Sequence, residues 1–458
     1  MRFLGVGVVL GSLLLGAGML PASATVFAPQ RVRLANGLEV LVVSTPLVAA
    51  TSILVGYRAG GADSPPNESG VAHYLEHLMF RGTTNVPPGG FSRWVADHGG
   101  QDNAFTTADG TFFTTLVAPG NLAAALMLEA DRMQNLAILP ATAAPELNVV
   151  RSERRQRTSD DPEGRFVEGL RHVLFPGHPY GEPVVGTESD LTAMTPDKAE
   201  AFYRCRYAPS NALVVITGPL DAHATFALVA ATLGRVPARP VCPRPPLPSA
   251  PSPVSGSFTQ REAEVRQPQM TLQIIAPSRG ALTAHGMSAD AWKATYALEV
   301  VAEALGGETG VLTRRLVHER RVASALNVSY DPDVRGPTVF GVSATPAPGV
   351  APETLKRALA ATLREVARAG LAARDVRSAK RRLGYGALWA RDSVTAPGLA
   401  FGTVWASGQR ADNVEAWPDR LRGITHAEAN AALRALDAEK RRVAGSLLPE
   451  VVGVGERP

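Results

Sequence analysis

The sequence predicts an α/β (α+β) protein of two duplicated two-layer domains, each with helices packed on a mostly antiparallel sheet, arranged as a clamshell. Three observations carry that expectation. Strand-like and helix-like stretches are mixed through hairpins rather than strict strand-helix-strand alternation, which favours antiparallel sheets with helices on one face. Eight prolines fall within the 17 residues from Pro237 to Pro253, so this stretch suits the inside of neither helix nor sheet and divides the chain into near-equal halves. The order of strands and helices before the divide recurs, weakly, after it.

The chain opens with Met1-Arg2, an apolar run from Phe3 to Leu20 and then Pro21-Ala22-Ser23-Ala24, the charged, apolar and small-residue parts of a secretory signal. Cleavage is expected after Ala24. Five glycines in the run and the Ala-Ser-Ala site favour removal over retention as an anchor, and no other segment is apolar enough to span a bilayer. The expected divisions are therefore a signal peptide at 1–24, a domain at 25–236, a Pro-rich linker at 237–262 and a second domain at 263–458. Such a chain is exported and soluble, which in a bacterium means the periplasm. With 45% hydrophobic and 19% charged residues, a net charge of +4 and no basic block, nothing points to nucleic acid. The two cysteines, Cys205 and Cys242, are not a metal pair, and in an oxidising compartment they are expected to form a disulfide.

In the first half, Asn36-Gly37 sits between the alternating pairs Val32/Leu34 and Leu38/Val40/Val42 and predicts a hairpin. A strand is expected at Thr51 to Gly56. A short helix near Phe91 to His98, strands near Asn103 to Thr107 and Thr111 to Val117, and a helix from Leu122 to Leu136 follow. The half closes with a helix ending near Cys205, a strand from Ala212 to Thr217 and a helix from Asp221 to Leu233. The second half offers strands at Met270 to Ile275, Ala323 to Tyr330, Thr338 to Ala344 and Val443 to Leu447, with a helix at Ala289 to Leu305. Where the first half has Val71 to Gly82, the second has Tyr296 to Gly307 without histidine, so the second domain is expected to be metal-free.

The most informative stretch is Val71-Ala72-His73-Tyr74-Leu75-Glu76-His77-Leu78. At about 100° per residue, His73, Glu76 and His77 share one face of a helix. Imidazoles at i and i+4 can share one Zn²⁺, and a carboxylate beside them can take a proton from metal-bound water. Two ligands do not hold a catalytic zinc, and a third is sought in Pro145 to Glu153. Pro145 suits the first position of a helix, and Glu146 and Glu153 lie two turns apart on one face, so one can ligate while the other supports it. The arginine-rich run Arg151 to Arg157 reads as a solvated helix face that could orient an acidic group.

His-x-x-Glu-His with a Glu 76 residues after the second His, itself preceded by Glu seven earlier, resembles the pitrilysin-type inverted zincins, in particular the two-domain bacterial and mitochondrial-processing-peptidase-like subunits. The resemblance extends to Gly99–Thr106, Arg154–Pro162, His178-Pro179-Tyr180, Gly186-Thr187 and Tyr207–Asn211. It implies repeated two-layer α/β domains around a chamber, with His73, His77 and Glu153 as zinc ligands, Glu76 as general base and Glu146 as the carboxylate behind a ligand. It also implies that Asn103, Ala104 and Phe105 hold the substrate, in keeping with an exposed edge strand that can pair with an extended peptide. The expected reaction is peptide-bond hydrolysis, with a non-catalytic assembly subunit or a zinc-dependent small-molecule lyase or hydrolase as the alternatives. One departure matters. Active members carry a second-domain Arg and a Tyr seven residues later, and alignment on Gly306-Gly307-Glu308-Thr309 and Leu316 places Val317 and Ser324 there. Arg314, Arg315, Arg320, Arg321 and Tyr330 are the nearby substitutes if the alignment slips. Without the pair, the resemblance implies a heterodimer with a homologous subunit that supplies it.

Overall fold

The structure, a computed structural model, describes residues 25–46, 48–248 and 255–450. The expected signal peptide lies outside the described residues. The first sheet comprises β1 (Gln30–Arg33), β2 (Glu39–Ser44), β3 (Thr51–Tyr57), β4 (Gln101–Thr106), β5 (Thr111–Val117) and β6 (Ala212–Gly218), in the order β1-β2-β6-β3-β5-β4. The second comprises β7 (Ser255–Glu262), β8 (Gln269–Ala276), β9 (Ala323–Tyr330), β10 (Thr338–Pro346) and β11 (Arg442–Pro449), in the order β7-β11-β8-β10-β9. One pair in each sheet is parallel, β2 with β6 and β7 with β11, and the rest are antiparallel. Superposing the two orders pairs β2, β6, β3, β5 and β4 with β7, β11, β8, β10 and β9, so the duplication is topological. Strand β7 was not expected: it takes up Ser255–Glu262, the end of the stretch read as linker, because its backbone finds a parallel partner in the last strand of the chain.

The expected hairpin forms, with Gly37 at φ 89° and Val32 opposite Val40. Asn36 does more than turn the chain, since its side-chain amide donates to the carbonyls of Leu233 and Val236, both at 2.9 Å, and ties the hairpin to the end of the half. Helices at Gly90–Asp97, Leu122–Asn135, Pro196–Arg206 and Ala222–Ala231 fall close to their expected places. The helix Pro140–Arg154 starts earlier than expected. Pro140 takes its first turn, and Pro145 lies inside it, leaving the carbonyl of exposed Ala141 to solvent rather than to an N–H. The disulfide between Cys205 and Cys242 is present, with Cα atoms 5.2 Å apart.

The main helical layer of each half covers one face of its own sheet. The other face is covered by a helix from the opposite half. Helix Ala396–Ala406 lays Phe401 and Trp405 on Leu54, Phe112, Leu213 and Val215 of the first sheet. Gly398 and Gly402 let it approach, for a Cβ on either would stand 3.0 to 3.1 Å from Leu54 or Phe112. Reciprocally, helix Pro162–Leu174 lays Phe166 and Leu170 against Ile275, Val443 and Leu447 of the second sheet. Each large apolar side chain buried this way contributes roughly 1.5–3 kcal/mol.

A polar seam runs between the halves. The Asp63 carboxylate accepts from Arg244 of the Pro-rich segment (3.0 and 2.8 Å) and from Arg335 of the second half (2.8 Å). Asp109 accepts from the backbone N–H of Arg335 (2.8 Å) and from the Tyr180 hydroxyl, which in turn accepts from the N–H of Gly336 (2.8 Å). Burial alone would raise the pKa of Asp63, but the two guanidiniums and the Gly60 N–H outweigh it and hold the carboxyl below its ordinary value.

Two outcomes are expected. Residues 25–248 expressed alone lack the helix that covers Leu54 and Phe112, and should bind a hydrophobic dye and aggregate, whereas co-expression with 249–458 should return a soluble complex; a monomeric, cooperatively unfolding 25–248 fragment contradicts the exchange. Asp63→Asn should lower stability at neutral pH. Because the native pKa lies below the unfolded one, the contribution is complete above about pH 5 and disappears as the pH falls through the native value, so the difference between wild type and variant in urea titrations should shrink steadily on acidification below about pH 5.

Candidate metal centre

Helix Val71–Leu78 begins where two glycines stack back to back. Gly70 (φ 88°) and Gly186 (φ 96°) approach so closely that a Cβ on either would meet backbone at 2.5 Å. Asp190 then takes hydrogen bonds from the Ser69 amide (3.0 Å) and hydroxyl (2.5 Å), fixing the start of the helix. Val71, Ala72, Tyr74, Leu75 and Leu78 enter the first core, which leaves His73, Glu76 and His77 on the remaining arc. Tyr74 joins the two site helices, its buried hydroxyl donating to the carbonyl of Ala143 at 2.6 Å.

Helix Pro140–Arg154 brings both of its glutamates to that arc. Glu153 Oε2 lies 3.2 Å from His77 Nε2 and 3.7 Å from His73 Nε2, and the three donor atoms lie within 4.8 Å of one another. A tetrahedral ion bound at about 2.1 Å spaces its ligands by about 3.4 Å, so the set fits a zinc-sized ion of mixed nitrogen and oxygen preference. Glu146 stands behind: its Oε1 lies 2.7 Å from His77 Nδ1 and its Oε2 lies 2.5 Å from Arg81 Nε. That contact commits Nδ1 of His77 and turns Nε2 toward Glu153. Among the described residues this is the one His/Cys/Asp/Glu group with metal-holding geometry, and it lies wholly in the first half.

Electrostatics separate the two imidazoles. Burial and the neighbouring His77 push His73 down to about 4. Burial also opposes charge on His77, but its hydrogen bonds to Glu146 and Glu153 prevail and raise it to about 9. Glu153 is held below its ordinary value, first by the His77 hydrogen bond. Glu76, which is 8% exposed, is raised by burial against the lowering effect of a 2.5 Å hydrogen bond from the Thr106 hydroxyl.

Two contributors, Thr106 and Arg81, are not among the expected site residues, and a third, Arg157, was expected only as part of the arginine run. Thr106 ends β4 and reaches Glu76, and strand alternation places it on the same face as core-packed Ala104, a signal available from period two alone. Arg81 holds Glu146, and Arg157 holds Glu153 at 2.8 Å from a π-helical turn, Arg155–Ser159, that follows the helix. The arginine run is therefore divided: Arg155 and Arg157 are exposed, and Arg157 orients an acidic group as expected, whereas Arg151 and Arg154 turn inward. Arg154 is buried and paired with Glu168 (2.8 and 2.9 Å), and Arg151 donates to the Leu191 carbonyl.

Strand β4 forms the edge of the first sheet beside the metal-site helix, so Asn103, Ala104 and Phe105 lie on an edge strand, Phe105 stacked on Phe112 at 5.0 Å. In the second half, Val317 packs against the core and the Ser324 hydroxyl donates to the Pro346 carbonyl at 3.2 Å. The nearby substitutes are engaged there: Arg314 with Asp375, Arg315 and Arg320 with Glu365, and the Tyr330 hydroxyl with the Pro277 carbonyl at 2.7 Å. Arg321 is exposed at φ 52°.

The family model for insulinase (peptidase family M16) matches residues 39–188, and that for the peptidase M16 inactive domain matches 193–383. The chain belongs to the pitrilysin-type M16 peptidase family. This M16 chain is 30% identical over 372 residues to the zinc protease PqqE of Helicobacter pylori, covering 80% of each. It is 32% identical over 316 residues to an uncharacterized zinc protease of Mycobacterium tuberculosis, covering 68% of this chain and 67% of the relative. Its fold is that of a solved Helicobacter pylori protease (TM-score 0.84, 22% identity, 92% of this chain and 99% of the other) and of pitrilysin (TM-score 0.73, 18% identity, 92% of this chain and 44% of the other).

Because Glu146 acts through His77, Glu146→Gln is expected to weaken divalent-metal affinity by about 10- to 100-fold while leaving the fold intact, measured by competition with a chromogenic chelator. Unchanged affinity would remove Glu146 from the site.

Proposed function

We propose that this M16 chain is the metal-binding subunit of an exported zinc endopeptidase acting on peptides or unfolded polypeptides. The observation that carries the reading is the convergence of His73, His77 and Glu153 beside a buried glutamate that is not needed as a ligand. In this reading His73, His77 and Glu153 would hold zinc, which when bound would make a water acidic near neutral pH. Glu76, buried and oriented by Thr106, accepts the proton of the attacking water and returns it to the leaving amine. The free edge of β4 at Asn103, Ala104 and Phe105 pairs with an extended substrate backbone, which recognises any sequence in the β conformation. Export rests on the sequence of residues 1–24.

The same reading assigns the missing electrophilic groups to another chain. Val317 cannot donate a charge-assisted hydrogen bond, and Ser324 spends its hydroxyl within its own sheet. A homologous subunit carrying the Arg/Tyr pair completes the site. The second reading, a non-catalytic assembly subunit, draws on the same absence, but a scaffold has no chemical need of the His-x-x-Glu-His helix.

The test is a set of substitutions read by metal analysis and by a quenched-peptide assay. His73→Ala, His77→Ala and Glu153→Gln are expected to lose the single zinc per chain. Glu76→Gln is expected to keep it and lose about 10²- to 10⁴-fold in turnover. Full turnover in Glu76→Gln sinks the assignment. The chain alone should bind zinc and cleave weakly, with the partner restoring about 10²- to 10³-fold, the scale of one missing transition-state donor. A fully active isolated chain refutes the two-subunit site.

A further inference from the structure

The second-half helix Ala373–Ala390 ends in an exposed apolar face. Tyr385, Leu388 and Trp389, spaced i, i+3 and i+4, are 53%, 54% and 75% exposed. Isolated exposed apolar side chains are ordinary, but three adjacent on one helical face are not. The helix is also basic, with Arg374, Arg377, Lys380, Arg381 and Arg382 against Asp375. Tyr385 and Leu388 line a groove of about 360 Å³ whose charged lining residues are all cations: Lys380, Arg381, Arg391 and Arg422.

A second, independent observation concerns the other end of the chain. Thr25 and Val26 line this same groove. They are held there by the Glu415 carboxylate, which accepts from the backbone N–H groups of Val26 (2.9 Å), Phe27 (3.1 Å) and Ala28 (3.2 Å). The residue that follows the apolar run Phe3 to Leu20 and its Ala-Ser-Ala site thus lies in the groove lined by Tyr385 and Leu388.

We propose that this face docks on an anionic phospholipid bilayer. An apolar ridge ending in Trp and flanked by arginines is the composition that lies at a headgroup boundary, with the indole and Leu entering the acyl margin and the guanidiniums meeting phosphate. On the export reading proposed above, on which this step rests, the groove that holds Thr25 and Val26 is the part of the surface nearest the end of the leader. A second copy of this chain is a poorer match, because it brings the same cations, Lys380, Arg381, Arg391 and Arg422, to the contact and sets a positive surface against a positive one. The helices involved are too short and too polar to cross a bilayer: among the described residues no helix qualifies as a span, so the contact is peripheral.

The test uses the full chain with vesicles of phosphatidylcholine, with and without phosphatidylglycerol, some carrying brominated acyl chains. Binding is expected to require phosphatidylglycerol and to weaken about 30-fold in Arg381→Gln/Arg391→Gln, at roughly fivefold per surface cation. Leu388→Ser/Trp389→Ser should abolish it, with far-UV circular dichroism and zinc content unchanged. Trp389→Phe should still bind but lose the fluorescence quenching by brominated lipid. Failure to bind anionic vesicles overturns the proposal. So does binding that persists equally in every variant, as a retained apolar leader alone would give, or quenching that survives in Trp389→Phe. A concentration-dependent dimer abolished by Leu388→Ser/Trp389→Ser would assign the face to self-association instead.

Discussion

The structure depends on burying both faces of two sheets with helices drawn from opposite halves of one chain. Strands β3 and β6 are buried at every position, which leaves no polar face to meet water. A sheet of that kind is stable only when covered on both sides. The first half supplies helices for one face of its sheet and sends Pro162–Leu174 to the other sheet, so the second half must return Ala396–Ala406. The Asp63, Arg244 and Arg335 contacts then fix the orientation that this exchange demands.

Rigidity at the exchange serves the metal centre. The His-bearing helix lies against the covered sheet through Val71, Tyr74, Leu75 and Leu78, and the Glu-bearing helix is locked to it by the Tyr74 hydroxyl. All but one of the groups that reach the metal-binding arc are themselves held, His77 by Glu146, Glu146 by Arg81, Glu153 by Arg157 and Glu76 by Thr106, while Nδ1 of His73 is buried without a hydrogen-bond partner among the described residues. Such support keeps ligands within the few tenths of an ångström that a metal ion tolerates. The edge strand that the function would use is tied to the same network, because Thr106 belongs to β4.

The two halves show what duplication preserves and what it releases. Strand order and the single parallel pair survive in both sheets, as backbone pairing requires. Side chains at the metal-binding arc do not, and the second half spends its helices on packing and on an exposed basic, apolar surface around Trp389.

Sequence alone determined the chemistry that local periodicity can express. Three residues on one helical face, His73, Glu76 and His77, are adjacent because a helix turns by a fixed angle, and Asn36-Gly37 bends because few residues tolerate positive φ. The two glutamates also declared themselves by spacing, but whether Glu146 or Glu153 faced both imidazoles was settled only by the crossing of two helices 69 or more residues apart in the chain. Tertiary structure alone decided the rest. Strand β7 exists because a partner 187 residues away lies beside it, Pro145 is tolerated because its helix faces water there, and Arg154 is buried because Glu168 meets it. The exchanged helices are the largest such decision: Phe166 lies on an amphipathic helix and Phe401 on one that is apolar nearly all round, and nothing local states which sheet either will cover. Pairing over that separation is decided by which surfaces remain exposed once the local elements have formed, a property of the whole chain rather than of any window within it.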